Sequence, residues 1–491
     1  MIQNTADKRK WLNILGALLL SAAVIEQLLV STMSYRTVLM GYVFICGVAA
    51  QLMFTAFSFA TVKRNRVAAT ILVGFMLWLV VSRPLVWDFQ LVDSMPLIIP
   101  TALNISILCY AASLEDKERK RLFALIAALI CIFCFYVCLG LLYAAVTRRD
   151  ISIPPFIGIK MKEEGGLHYV NLVSSHRNYF SQWYCLCFCL AACLAALSEK
   201  KFVKAACGIM MAAFYVIVAI ELSRISMIAL ALSIGMMSAL LVIKRVPNKK
   251  TSVHVAIALA AVLVVTPVVY KSYNLVGTAV GKISLAVTPI EQKADAATTD
   301  DDAEKQNGGE QSGTVIIEEG DAMFTETRTK ENVKKLGGRV VVWKSMYNVL
   351  KSEPSRLLFG DVTSDYMSDI NRAISQTDPS AVVRHTHNYL IETLFLTGIP
   401  GLLLMIAFSV ILVVRMVKVF FSPDAGLFPK LLTIPLAANL LKGMGEATLI
   451  FHDSVDNDIT NYIFFLAAGI FLAYSYELFP EKGPSGNNNK V

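Results

Sequence analysis

Three short patterns place ionisable side chains beside apolar segments of this sequence. They are His387-Asn388 followed after nine residues by Gly398-Ile399-Pro400-Gly401, then Gly338-Arg339 shortly before Trp343, and Ser223-Arg224. Ionisable groups this close to hydrocarbon cost several kcal/mol unless they are partnered or functional. A histidine can accept a proton near neutral pH, and an arginine can bind paired anionic oxygens. We therefore take the histidine and the two arginines as candidate site residues, and we expect the Gly-Ile-Pro-Gly run to interrupt a helix.

The composition and the apolar blocks predict the elements that carry these patterns. The 491 residues are 56% hydrophobic and 17% charged, and the mean hydropathy is +0.58. Soluble domains contain about 45–50% apolar and about 25% charged residues, so the composition argues against a soluble protein. The apolar residues occur in blocks of about 20, the length of a helix that crosses a bilayer. The sequence therefore predicts an all-α polytopic membrane protein.

We predict about twelve transmembrane helices, with a large external loop before the tenth. Their approximate edges are 11–30, 37–58, 67–82, 95–112, 122–146, 178–198, 203–222, 225–243, 252–270, 388–414, 429–450 and 459–478. Lys and Arg cluster in every second short segment between them, which by the positive-inside rule places both termini in the cytoplasm. The opposite short segments carry little positive charge beyond Arg36, Arg83 and Arg224. This distribution accounts for the formal net charge of +8 without a nucleic-acid partner.

The predicted chain divides at the long loop. Its parts are helices one to nine in 1–270, the external loop in 271–387, helices ten to twelve in 388–478 and a cytoplasmic tail in 479–491. Within the loop, residues 291–321 are strongly acidic and lack aromatic residues, so we predict a disordered insert there. Residues 328–356 are predicted to contain an amphipathic helix, because apolar side chains recur at helical spacing. These are Val340, Trp343, Tyr347 and Leu350.

The ten cysteines all lie inside apolar blocks, so no disulfide framework is predicted. Four of them are spaced like metal ligands, namely Cys185, Cys187, Cys189 and Cys193. Residues two positions apart lie on different faces of a helix, so Cys187 cannot join Cys185 and Cys189 in one ligand set, and we interpret all four as small apolar residues. Since no acidic ligand set accompanies the candidate residues either, we expect no metal and no cofactor.

The motifs, their order and the predicted topology together resemble the O-antigen ligase and polymerase superfamily, which are GT-C-like membrane glycosyltransferases. The resemblance is carried by His387-Asn388 with Gly398 and Gly401, by Gly338-Arg339 with Trp343, and by Ser223-Arg224. It covers the chain from Ser175 onward and extends to the first five spans by hydropathy alone. The acidic insert departs from a minimal loop of this family.

The resemblance implies an enzyme of the bacterial cytoplasmic membrane. Such an enzyme transfers or polymerises a glycan from an undecaprenyl-diphosphate donor to a glycan or lipid acceptor on the external face, with inversion and without a metal. Arg224, Arg339 and, in addition, Arg177 are then candidates for binding the diphosphate, because a guanidinium stays charged and binds phosphate oxygens in pairs. His387 is the candidate catalytic residue, acting as base or orienting partner for the acceptor hydroxyl. The supporting residues are Asn388, Gly398, Gly401 and Trp343.

Each assignment has an ordinary structural alternative. Arg224 and Arg177 could anchor helix ends at lipid headgroups, and Arg339 could be a solvated residue at a helix start. His387 could cap the tenth span, and Trp343 could serve packing alone. Ligation to a lipid A core, polymerisation of a second lipid-linked unit and transfer to protein all fit the same motifs. A lipid-linked oligosaccharide flippase also suits twelve spans, although transporters tend to show repeat symmetry and paired broken helices.

The topology gives a first testable prediction. With the native cysteines replaced, new cysteines at Ser312 and Ser355 should react with an impermeant maleimide in intact protoplasts, because the basic residues place 271–387 outside. Labelling that occurs only after lysis would put this loop, and the candidate site with it, on the cytoplasmic side.

Overall fold

The computed structural model of the chain describes a mostly helical protein. The described residues are 2–32, 66–83, 91–154, 157–164, 167–173, 177–246, 251–287, 336–352, 354–360, 371, 386–445 and 458–480. The helices are α1 (Ile2–Thr32), α2 (Arg66–Ser82), α3 (Leu91–Ser113), α4 (Asp116–Thr147), α5 (Arg177–Leu197), α6 (Lys201–Glu221), α7 (Arg224–Arg245), α8 (Thr251–Val287), α9 (Leu336–Ser352), α10 (Pro354–Phe359), α11 (Tyr389–Phe421), α12 (Leu427–Gly443) and α13 (Asp458–Leu478).

The helices follow the apolar blocks of the sequence. Each predicted span except 37–58 overlaps a described helix, whereas 37–58 and the last residues of the span 429–450, from 446, lie outside the described residues. By length and composition, 7 of the described helices can cross a membrane, and shorter apolar stretches occur in α1, α2 and α3. A polytopic helical membrane protein is therefore confirmed, while the number twelve stays a prediction. The predicted insert at 291–321 and the segment 328–335 also lie outside the described residues.

A small antiparallel sheet lies between α4 and α5, in the stretch that separates the fifth and sixth predicted spans. Its strands are β1 (Ile151–Ile153), β2 (Ile157–Glu164) and β3 (Leu167–Leu172), in the order β1-β2-β3. One face packs on α4, where a Cβ at Gly140 would lie 2.8 Å from Ile159 Cδ1. Pro154-Pro155 and the mixed charges of β2 obscured the alternation of apolar residues. The Gly165-Gly166 pair between β2 and β3 is the hairpin signal that could have revealed it.

Helix α8 is longer than its apolar block. It was predicted to end near residue 270 but continues to Val287, so its 37 residues span roughly 55 Å, well beyond a bilayer core. Polar residues after 270 lower the hydropathy without breaking the helix. Tyr273 is buried and donates to Met227 O at 3.2 Å, and Arg148 Nε donates to Ser284 Oγ at 2.9 Å. These contacts hold the extension against α7 and the end of α4.

Helix α11 is broken at the predicted Gly-Ile-Pro-Gly run. Gly398 has φ 68° and ψ −174°, and Pro400 follows inside the helix. Gly360, directly after α10, has φ 85°. A Cβ at Gly398 would overlap the backbone of Leu358, and a Cβ at Gly360 would overlap the backbone of Leu396. The end of α10 therefore packs backbone to backbone against the break, which only glycine permits at these two positions.

This packing predicts a large cost for Gly398→Ala. The substitution adds about 1–3 kcal/mol of backbone strain and a direct overlap with α10, so the thermal unfolding midpoint in detergent should fall markedly. Gly208→Ala is the matched control, because Gly208 lies inside α6 and an added Cβ would meet no neighbouring atom within 4 Å. That control should gain up to about 1 kcal/mol. Equal midpoints for the two variants would contradict the packing at the break.

Candidate active site

His387 lies in the turn that leads into α11. It is half-buried and adopts a left-handed backbone conformation with φ 57°. The next residue, Asn388, is the N-cap of α11: its side-chain oxygen accepts from Leu390 N at 2.9 Å and from Ile391 N at 3.2 Å. The capping role that sequence reasoning offered for His387 therefore belongs to Asn388. The imidazole of His387 is not needed to start the helix.

The residue before His387 is held by three other groups. Trp343 Nε1 donates to Thr386 O at 2.7 Å, and Thr386 N donates to Glu392 Oε2 at 3.1 Å. The Thr386 hydroxyl donates to Asn388 O at 2.9 Å. Trp343 thus has a polar contact in addition to its packing, and it ties α9 to the histidine turn. The hydrogen bonds of Thr386 before His387 and of Asn388 after it restrict the position of the His387 backbone.

Glu392 is a residue of the candidate site that sequence reasoning missed. Its side chain is 2% exposed and lies in the first turn of α11. A buried carboxylate in hydrocarbon surroundings needs hydrogen-bond donors, and the Thr386 amide is one of them. An acidic residue near a helix N-terminus is also favoured by the helix dipole. The signal in the sequence was a single glutamate within the first turn of an apolar span.

The end of α12 brings Arg224 to the same end of the bundle as His387. Asn388 Nδ2 donates to Met444 O at 3.0 Å, directly after α12. A Cβ at Gly445 would lie 2.9 Å from the Ile225 side chain, next to Arg224. Arg224 is half-buried and is the first residue of α7. The His387 turn and the start of α7 therefore both adjoin the Met444-Gly445 segment.

For Arg339 and Arg177, the other two candidate arginines, the structure gives the position in a helix but does not describe the side chain. Arg339 lies in the first half of α9, one turn before Trp343, and Arg177 is the first residue of α5. Helix α5 meets α12 where Gln182 Nε2 donates to Asn439 Oδ1 at 3.1 Å. This contact sets the start of α5 at the same end as Met444. The side chains of Arg339 and Arg177 lie outside the described residues.

The glycine pair does not touch His387. Gly398 and Gly401 follow His387 by 11 and 14 residues, which places them roughly 16–21 Å along the chain axis. Their contribution is to the shape of α11, which breaks at Gly398.

The break also leaves a backbone carbonyl without its helical partner. Pro400 has no N–H, so the carbonyl of Leu396 lacks its usual helical donor. Arg83 Nη2 donates to Leu396 O at 2.6 Å, and Trp78 Nε1 donates to Thr397 O at 2.7 Å.

No metal site is formed by the part of the chain that the structure describes, where no three His, Cys, Asp or Glu side chains are grouped for one. The four cysteines of α5 that are spaced like ligands are buried free thiols. Their burial fits the interpretation as small apolar residues.

The two contacts of Asn388 can be separated by substitution. Asn388→Ala removes the N-cap and the bond to Met444, and should cost about 1 kcal/mol for the cap plus about 1 kcal/mol for the lost bond. Asn388→Asp keeps the cap acceptor but cannot donate to Met444 O, so it should lose only the second part. Thermal unfolding in detergent measures both. An Asp variant as unstable as the Ala variant would argue against the cap.

Part of the chain matches a known protein family. Residues 205–406 match a family model described as O-antigen ligase. The match runs from α6 through the first half of α11, so it contains Arg224, Arg339 and His387, whereas Arg177 precedes it. No curated protein matches the chain. Residues 205–406 of the chain are thus similar to the O-antigen ligase family, in support of the resemblance to the O-antigen ligase and polymerase superfamily.

Proposed function

We propose that the protein transfers a glycan from an undecaprenyl-diphosphate donor to an acceptor hydroxyl on the external face of the bacterial cytoplasmic membrane. The family supports a glycosyltransferase-like enzyme in membrane glycan ligation or polymerisation. The observation that carries the proposal is the arrangement around Met444-Gly445. There the His387 turn and the start of α7 with Arg224 both adjoin one segment, while Trp343 ties the Arg339 helix to the same turn.

In the proposed reaction the acceptor oxygen attacks the anomeric carbon of the donor sugar. The bond between that carbon and the diphosphate oxygen breaks on the opposite face, so the configuration inverts in a single displacement. The hydroxyl proton passes to His387 Nδ1 or Nε2, and the undecaprenyl diphosphate leaves with the bonding electron pair. His387 suits this role because its side chain is half-buried, and because hydrogen bonds of the neighbouring residues hold its backbone in place.

The departing diphosphate gains negative charge, which needs positive partners. Arg224 and Arg339 are assigned this role, with Arg177 as a further candidate, because guanidinium groups bind phosphate oxygens in pairs. Each well-placed donor of this kind contributes about 3–4 kcal/mol of transition-state stabilisation. No step of the proposed reaction calls for a metal.

The acceptor decides between the variants of this proposal. A ligase uses a sugar hydroxyl of a lipid A core, and a polymerase uses a second lipid-linked repeat unit. Both need the same base and the same diphosphate contacts. Assays with each acceptor, using one defined lipid-linked donor in nanodiscs, would separate them.

The mechanism predicts different defects for the three main residues. His387→Asn should lower transfer about 10²–10⁴-fold while donor binding survives, since it removes the base. Asn is chosen because it tolerates the positive φ of this turn, unlike Ala.

The arginine variants should show other defects. Arg339→Lys should lower transfer sharply because paired contacts are lost despite the retained charge. Arg224→Ala should weaken donor affinity about tenfold or more. Transfer is measured with chelator present, alongside donor affinity.

Arg245→Ala is the matched control for Arg224→Ala, because Arg245 is exposed at the opposite end of α7. It should leave transfer and donor affinity unchanged. Full transfer by both His387→Asn and His387→Ala, or strict dependence on an added divalent metal, would refute the mechanism.

A further inference from the structure

Arg83 is an arginine that the proposed reaction does not use. It follows α2, and its side chain is 1% exposed, among the largest fully buried side chains of the described residues. A buried guanidinium in a membrane protein is costly unless polar groups surround it. Its Nε donates to Leu79 O at 3.2 Å, and its Nη2 donates to Leu396 O at 2.6 Å and to Phe359 O at 3.4 Å.

The acceptors of Arg83 belong to two different elements besides its own helix. Leu396 O is the carbonyl that Pro400 leaves without a helical donor, and Phe359 O lies at the end of α10. Trp78, one turn earlier on α2, repeats the pattern. Its indole donates to Thr397 O at 2.7 Å, and its ring stacks on Phe359 with centroids 5.9 Å apart. Two side chains contributed by α2 and its end thus each hold the break of α11 and the end of α10 together.

The elements held in this way carry the candidate site residues. Helix α10 follows α9 after one residue, and α9 contains Arg339 and Trp343. Further along α9, Val342, Met346 and Leu350 pack with Phe395, the residue before Leu396. Loss of the Arg83 contacts would free α10 at the point where it meets this cluster. The placement of Arg339 relative to His387 therefore depends on the junction of α2, α10 and α11.

We propose that Arg83 is a positioning residue: with Trp78 it locks the loop helices α9 and α10 onto the broken turn of α11, so that the helix bearing Arg339 keeps one placement relative to His387. At 1% exposure Arg83 cannot meet a substrate directly. Its effect on transfer, which rests on the proposed function, passes through α9. Its effect on the docking of α9 and α10 does not depend on any activity.

Hydrogen–deuterium exchange and steady-state kinetics test the proposal together. In Arg83→Met, amide exchange should rise in 336–352, 354–360 and 396–401 and stay unchanged in α4, α5 and α13. The efficiency of transfer should fall about 10–100-fold, since a misplacement of about 1 Å has a cost of this order. The KM for the donor should rise while the KM for the acceptor stays constant. Arg83→Lys keeps one donor for Leu396 O and should restore part of both signals.

Two further variants keep the test decisive. Trp78→Phe retains the ring stack but loses the indole donor, so it should raise exchange in the same segments to a smaller extent. Arg415→Met is the matched control, because Arg415 also donates to a helix-end carbonyl, Phe479 O at 2.7 Å, but on α11 far from the break. It should leave exchange in the loop helices unchanged.

The outcomes separate this proposal from the proposed function. Unchanged exchange in 354–360 for Arg83→Met and Trp78→Phe would overturn the positioning role, as would exchange that rises evenly over all helices. An equal rise of exchange in Arg415→Met would overturn it as well. Absence of transfer by the unmodified protein would count against the proposed function and leave the exchange result standing.

Discussion

Two backbone carbonyls at the break of α11 determine how this protein is arranged around that helix. A helix that breaks in apolar surroundings leaves carbonyls without helical donors, and each costs several kcal/mol where no water reaches it. Leu396 O accepts instead from Arg83, directly after α2, and the neighbouring Thr397 O accepts from Trp78 within α2. The break is therefore stable only while α2 stays in place. Because Gly360 and Gly398 have no Cβ, the end of α10 can pack closely against the same break.

The segment of α11 before the break is consequently fixed at both ends. At its start, Asn388 caps the helix and binds Met444, while Thr386 is held by Trp343 and Glu392. At its end, α2 and α10 hold the break. Helix α9 contacts both regions, through Trp343 at Thr386 and through its apolar face at Phe395. The histidine directly before this segment and the arginine on α9 are thus attached to one set of contacts, as the proposed reaction requires of its groups.

Hydropathy predicted most helices because a bilayer constrains length and polarity together. The interruption of α11 was also predictable, since glycine weakens a helix and proline removes one of its hydrogen bonds. The partners of the break were not, because Arg83 and Leu396 lie 313 positions apart. Nor does hydropathy distinguish the end of an apolar block from the end of a helix, which is why α8 ran past residue 270. The sheet at 151–172 was missed because its strands are short and mixed in charge.

Arg83 also shows that an arginine cannot be assigned to a binding site from the sequence alone, because the assignment depends on how exposed its side chain is. In the sequence it looked like one more isolated charge on the side opposite the basic segments, which is the information that the positive-inside rule uses. In the fold it is fully buried and serves backbone carbonyls, whereas Arg224 is half-buried at a helix start. Both are arginines beside apolar helices, yet only the second can reach a ligand without unfolding its surroundings. A guanidinium binds carbonyls and phosphate oxygens with the same donors. The burial of a guanidinium therefore decides which of these two partners it can bind, and it distinguishes the structural arginine from the candidate for ligand binding.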